Sequence, residues 1–253
     1  MNSSIVSIGL SNPGSPIPQA EIARFMQLAH QLDGQERRKL DFLYRKSGID
    51  FRHSVLDDFQ KEDYRQFTFF PNNAALHPFP STSARMNVFE AEAAGLAEQA
   101  VQNALQQAQI EAFSLTHLVL VSCTGMVAPG VELELMRRLG IPSSVERYCI
   151  HFMGCYAAFT GLRLADQLVK ANPESRVLVV SVELCTLHFQ KEYNEDNLLA
   201  NSLFGDGAAA ALVMQSEKGL LIKNYLSEVL WEGEKDMAWK IGDFGFEMRL
   251  SQY

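Results

Sequence analysis

A strand-like run that ends in Gly154, followed at once by a helix of small residues, constrains this fold more than any other segment. The stretch reads Tyr148-Cys-Ile-His-Phe-Met-Gly-Cys-Tyr-Ala-Ala-Phe-Thr-Gly-Leu-Arg-Leu-Ala165. Ala157, Ala158, Gly161, Leu162, Ala165, Leu168 and Val169 recur at helical spacing, with Arg163, Asp166, Gln167 and Lys170 on the opposite side. Such a stripe predicts a helix that packs closely against its neighbours, deep in the molecule. Cys155 falls at the expected first turn, where the positive end of the helix dipole and free N–H groups favour a thiolate nucleophile. Gly154 is expected to keep bulk away from the sulfur. A buried packing cysteine fits the same position, because free cysteine is among the most buried residue types. The residues alone leave both roles open.

The remaining pattern alternates strands with helices. Strands are expected at Ile5–Leu10, His117–Ser122, Arg147–Phe152, Arg176–Glu183, Ala208–Met214 and Leu220–Val229. Helices are expected at Gln19–Leu32, Gln35–Ser47, Ala84–Ala108 and Val131–Leu139. The run Arg176-Val-Leu-Val-Val-Ser-Val-Glu183 suits a strand buried on both faces. Residues 57–83 carry three prolines and little periodicity, and are expected to form a long surface excursion. This alternation predicts an α/β layered fold around a central mixed sheet.

Composition narrows the function classes. Of 253 residues 47% are hydrophobic and 21% charged, and the formal net charge of −8 argues against nucleic acid or an anionic membrane as partner. No apolar run approaches the roughly 20 residues of a membrane span, and the N-terminus lacks the pattern of a signal peptide. Cys123, Cys149, Cys155 and Cys185 lie far apart with no Cys-x-x-Cys, so neither a disulfide framework nor a metal site is expected, and a cytoplasmic location fits. No Gly-x-Ser-x-Gly and no Gly-x-Gly-x-x-Gly supports a hydrolase or a dinucleotide enzyme.

Several motifs then coincide. Arg45-Lys-Ser-Gly-Ile49, Ser122-Cys-Thr-Gly-Met-Val-Ala-Pro-Gly130, Gly154-Cys155, Val179-Val-Ser-Val-Glu-Leu184 and Leu203-Phe-Gly-Asp-Gly-Ala-Ala-Ala210 occur in an order and spacing that resemble the thiolase-fold condensing enzymes. The resemblance is closest to the type III polyketide synthases, the chalcone and stilbene synthase-like enzymes in bacterial style, and runs to Ile241–Leu250. It implies a thiolase-like layered αβαβα fold, of which residues 1–253 would be the N-terminal domain.

The resemblance also implies roles. Cys155 would take an acyl starter from coenzyme A and hold it as a thioester. Phe204 would be a gatekeeper, with His188, Cys123 and Met248 at pocket positions. Lys39 and Lys46 would bind coenzyme A, with Phe42 where a third basic residue is usual and Arg38 or Arg45 able to replace it. His188 reads as pocket lining or a satisfied core histidine. Ala128 stands where plant members carry a methionine before Pro129. Acyl-coenzyme A and malonyl-coenzyme A would be substrates, with no separate cofactor, and the chain would form a homodimer. The family's catalytic histidine and Gly-Asn motif match none of the six histidines here, so a C-terminal half is expected to supply them; the chain would be a fragment or a naturally shortened protein. A ketoacyl-ACP synthase III, a hydroxymethylglutaryl-CoA synthase and a non-catalytic half-thiolase dimerisation module are the alternatives.

Overall fold

The computed structural model describes residues 3–234 and 236–250. In chain order its elements are β1 (Ser3–Ser11), β2 (Ile17–Pro18), α1 (Gln19–Ala29), α2 (Gly34–Lys46), β3 (Phe51–Arg52), α3 (Thr82–Ala108), β4 (His117–Ser122) and α4 (Val131–Leu139). There follow β5 (Glu146–His151), α5 (Ala157–Ala171), β6 (Arg176–Leu184), α6 (Glu195–Leu203), β7 (Asp206–Gln215), β8 (Leu220–Leu221), β9 (Met237–Gly242) and β10 (Gly245–Leu250). The chain divides into two compact units. The first holds residues 3–12, 89–183 and 207–228, the second residues 13–88, 184–206 and 229–250.

The first unit is built on a six-stranded mixed sheet in the order β5-β4-β6-β7-β1-β8. β4 runs parallel to both β5 and β6, whereas β1 is antiparallel to β7 and β8. Every residue of β4 is buried, and β6 is buried along most of its length, as its unbroken apolar run requires of a central strand. β5 lies at the sheet's end and is largely exposed.

Helix α5 lies close on the sheet because of its small residues. A Cβ on Gly161 would stand 3.0 Å from a methyl of Val179 and 3.3 Å from one of Val121. Ala157, Ala165 and Val169 join those valines in one core cluster, with Leu162 and Leu168 partly buried against it. Asp166 departs from the expected polar side. It is buried, accepts a hydrogen bond from Ser3 Oγ and one from Lys170 Nζ at 2.8 Å, and so ties α5 to the start of β1. From residue 89 onward α3 packs in this unit through the expected stripe, with Phe89, Ala93, Leu96, Ala97, Ala100, Val101, Ala104 and Leu105 all buried. Asn103 Nδ2 donates to the carbonyl of Leu10 at 2.9 Å and Ser11 Oγ to Gln99 Oε1 at 2.9 Å, fixing β1 against this helix.

The second unit corrects the reading of residues 57–83. Phe59, Phe67, Phe70 and Leu76 are buried, so the stretch is anchored in the core at these positions while much of the rest is exposed as expected. Phe25, Phe59, Phe67, Phe70 and Phe189 form an aromatic cluster with centroid spacings from 4.5 to 6.4 Å. A buried carboxylate takes the place of secondary structure: Asp58 accepts from the N–H groups of Thr68, Phe69 and Phe70 (2.8, 3.0 and 2.8 Å) and from Thr68 Oγ1 (3.0 Å). Two short 3₁₀ turns, Asp57–Gln60 and Tyr64–Gln66, precede those amides, and over residues 68–70 the carboxylate satisfies the backbone in place of a ladder. Two further elements lay outside the expectations, α6 and the β9–β10 hairpin, while the strand expected over Leu220–Val229 is reduced to Leu220–Leu221.

Candidate active site

Each candidate residue is described within its own unit. In the first, Cys155 follows β5 by a short loop and stands two residues ahead of α5, whose cap is Tyr156. The loop is built on unusual backbone. Phe152 has φ +55° and Gly154 φ +89°, both left-handed. A Cβ on Gly154 would find nothing nearer than the Tyr156 ring at 3.8 Å, so glycine is required there for its dihedral and not for space. The thiol of Cys155 is exposed, as are Met153, Tyr156 and Phe159, so this end of α5 is at the surface although its middle is buried. No side chain caps α5; the Ala157 N–H donates to the Gly154 carbonyl at 3.1 Å and the Phe159 N–H to that of Tyr156 at 2.9 Å, so backbone turns close the start of the helix.

Cys123, at the end of β4, belongs to the same site. Its Sγ donates to the carbonyl of Gly154 at 3.7 Å, next to the candidate nucleophile. Beneath it lies Glu183, at the end of β6. The Glu183 carboxylate accepts from the Cys123 N–H at 2.8 and 3.1 Å and from Thr124 Oγ1 at 2.5 Å. Burial pushes the Glu183 carboxyl up, partly offset by these hydrogen bonds. Burial also pushes the Cys123 thiol up, and the Glu183 charge adds to it.

In the second unit, His188, Phe204 and Met248 come together around one small cavity of about 30 Å³, also lined by Arg52, Trp239 and Phe246. That is roughly the share of one water molecule in the liquid. His188 is 4% exposed and settled in its surroundings. Its ring stacks on Phe246 with centroids 4.0 Å apart and planes at 8°, and Trp239 meets it edge-on at 5.7 Å. The Phe246 N–H donates to His188 Nδ1 at 2.9 Å, which assigns the proton of the neutral ring to Nε2.

The carbonyl of Phe204 accepts from Arg52 Nη1 at 2.5 Å, and that of Asn201 from the same nitrogen at 3.0 Å. Arg52 thereby closes the C-terminal end of α6, where carbonyls lack helical partners. Its guanidinium is buried, which lowers its pKa, and its Nη2 has no acceptor. Asp206, in the Phe204-Gly-Asp-Gly207 turn, accepts from the N–H groups of Val55 and Thr186, both at 2.8 Å. Burial outweighs those bonds and pushes its carboxyl up to about 6.

Lys39 and Lys46 share the exposed face of α2 with Arg38, Phe42 and Arg45. Lys46 Nζ lies 5.8 Å from the centre of the exposed Phe42 ring. Among the described residues no three His, Cys, Asp or Glu side chains come together as metal donors, and no helix is long and apolar enough to cross a membrane. Glu183, Arg52 and the Trp239–Phe246 wall were not among the expected site residues. Glu183 had a signal, a carboxylate closing an otherwise apolar strand; Trp239 and Phe246 had none that local pattern supplies.

A parallel strand that passes through left-handed Phe152 and Gly154 into a small-residue helix fits a thiolase-like layered fold. Comparison with known proteins agrees. The profile of chalcone and stilbene synthases, N-terminal domain, matches residues 2–217, and the chain belongs to this family, the type III polyketide synthases. It is 32% identical over 212 residues to a probable polyketide synthase 1 of Dictyostelium discoideum, covering 84% of this chain and 6% of that protein. An alpha-pyrone synthesis polyketide synthase-like protein of Mycobacterium tuberculosis is 30% identical over 228 residues, with 87% of this chain and 56% of that protein covered.

Among solved structures, the C-terminal type III polyketide synthase domain of Steely1 from Dictyostelium superposes with a TM-score of 0.89 at 29% identity, covering 99% of this chain and 68% of that one. The 1,3,6,8-tetrahydroxynaphthalene synthase of Streptomyces coelicolor gives 0.84 at 26%, covering 98% and 68%. The chain therefore spans 56% of the mycobacterial relative's length and 6% of the Dictyostelium one's.

Proposed function

We propose that this chain carries the acyl-loading machinery of a type III polyketide synthase, an acyltransferase that condenses malonyl-coenzyme A onto an acyl-coenzyme A starter held on Cys155. The observation that carries this reading is the exposed Cys155 next to the left-handed Gly154, two residues ahead of the N-terminus of α5. The thiolate attacks the starter's thioester carbonyl carbon, the bond to the coenzyme A sulfur breaks, and that sulfur leaves and takes up a proton. The oxyanion that forms needs hydrogen-bond donors aimed at it. Loss of carbon dioxide from malonyl-coenzyme A then yields the enolate that attacks the acyl-cysteine. The cationic face of α2, with Lys39 and Lys46, is the group we assign to the phosphates of coenzyme A, and Phe204, His188 and Met248 to the acyl pocket. A homodimer in the cytoplasm completes the proposal, with neither nucleic acid nor membrane as partner.

Incubation with a radiolabelled acyl-coenzyme A, followed by peptide mapping, tests the first step. Label is expected on Cys155 and is expected to vanish in Cys155→Ala. A sulfur inert to both acyl-coenzyme A and iodoacetamide would point to a non-catalytic module. Turnover of the gene product with malonyl-ACP and not with malonyl-coenzyme A would favour a ketoacyl synthase instead.

A further inference from the structure

Two thiols meet one loop in the first unit. Cys123 Sγ donates to the Gly154 carbonyl at 3.7 Å, and Cys155 is the next residue. An acyl group passes readily between sulfurs, so a reaction that holds its intermediate on one must keep the other silent. The silent sulfur is the half-buried one, and a carboxylate stands under it. Glu183 accepts from the Cys123 N–H (2.8 and 3.1 Å), Thr124 Oγ1 (2.5 Å) and Ser122 Oγ (3.4 Å), which fixes it in place.

We propose that Glu183 determines which of these sulfurs is acylated: its carboxylate keeps Cys123 a hydrogen-bond donor to the Gly154 carbonyl and leaves Cys155 the nucleophile. The inference rests on the reading of Cys155 as the acyl acceptor and adds a selectivity device to it. Only a thiolate attacks a thioester. To react, Cys123 would have to give up its proton while withdrawn from water, beside a like charge and facing a carbonyl lone pair. Burial first, and the Glu183 charge second, raise its pKa, while hydrogen bonds with the backbone of Gly154, Met153 and Phe152 offset part of that rise. Glu183 touches no reacting atom in this scheme. It acts through Cys123 and is a positioning residue.

Iodoacetamide labelling of the full chain, read for each cysteine by peptide mass spectrometry, provides the test. Alkylation forms an S–C bond from the thiolate and releases iodide. In the wild type Cys155 is expected to label about tenfold or more faster than Cys123 at pH 8. In Glu183→Gln the Cys123 rate is expected to rise about tenfold for each pH unit by which its labelling midpoint falls, with the Cys155 rate within about threefold. Equal labelling of the two cysteines in the wild type, or an unchanged Cys123 profile in Glu183→Gln, overturns the proposal.

Should that variant fail to fold by circular dichroism, the Cys155→Ala chain answers through its own pH profile. A Cys123 midpoint above the ordinary value of about 8.5 that falls as salt is raised, as a charge effect does and a burial effect does not, supports the assignment; one at or below about 8.5, or one insensitive to salt, refutes it. Acetyl-coenzyme A that loads neither sulfur, with labelling as expected, would overturn the acyl-transfer reading while supporting the ranking of thiols by Glu183.

Discussion

Cys155 is exposed and follows a loop with two left-handed residues, whereas His188 sits among rings that are buried and packed. In the first unit the information is in dihedral angles: Phe152 and Gly154 are at positive φ just ahead of Cys155, and beyond its chain neighbours Gly154 has room for a methyl group. In the second it is in volume: His188, Phe246 and Trp239 interlock and leave about 30 Å³. A site made of dihedrals is damaged by any side chain that forbids them, however small. One made of packed rings is damaged by whatever leaves a hole. The two should therefore respond to different substitutions.

The largest effect is expected in the packed region. Phe246→Ala removes a ring that is 2% exposed, and such truncations cost about 3–5 kcal/mol. Urea denaturation should show that loss. A cost below about 1 kcal/mol would mean that the rings around His188 collapse to fill the gap. Next comes Gly154→Ala. The added methyl meets no close neighbour, so the cost is the left-handed dihedral alone, about 1–2 kcal/mol. Slower iodoacetamide labelling of Cys155 should accompany it. Unchanged stability and labelling would show that the loop tolerates another dihedral and would dissolve the contrast.

A further test within the second unit is a pair of opposed pH slopes. Asp206 is raised from 3.8 to about 6, so between those values the folded state holds a proton that the unfolded state has lost, and stability falls as pH rises. His30 is lowered from 6.5 to about 4, chiefly by burial, so between those values the unfolded state holds the extra proton and stability rises with pH. The two largely offset in the wild type from about pH 4 to 6. Asp206→Asn should expose the rising slope and His30→Gln the falling one in thermal melts. Parallel curves for all three proteins would refute the assignment.

Legibility in the sequence followed the range of the forces involved. The strands β4 and β6, the buried stripe of α3 and the close approach at Gly161 were all readable, because burial imposes a period on neighbouring residues. So was the junction of strand and helix around Gly154-Cys155. Asp166 was misplaced because Ser3, on a distant strand, supplies its partner. Residues 57–83 were misread because their order comes from Asp58 and from rings contributed by Phe25 and Phe189, none of which a local pattern announces. The fit of Phe246 on His188 joins residues 58 positions apart and left no local trace.

The carboxylate of Asp58 also sets a limit on sequence drift. A connection between elements ordinarily accepts extra residues at little expense, since doubling its length adds only about 0.6 kcal/mol in closure entropy. Here one acid must reach three consecutive amides, those of Thr68, Phe69 and Phe70, at a fixed count along the chain. Insertions or deletions between positions 58 and 68 would break that count and release Phe67 and Phe70 from the core. Relatives that keep this acid should keep its spacing to the residue, even where their surface connections vary freely in length.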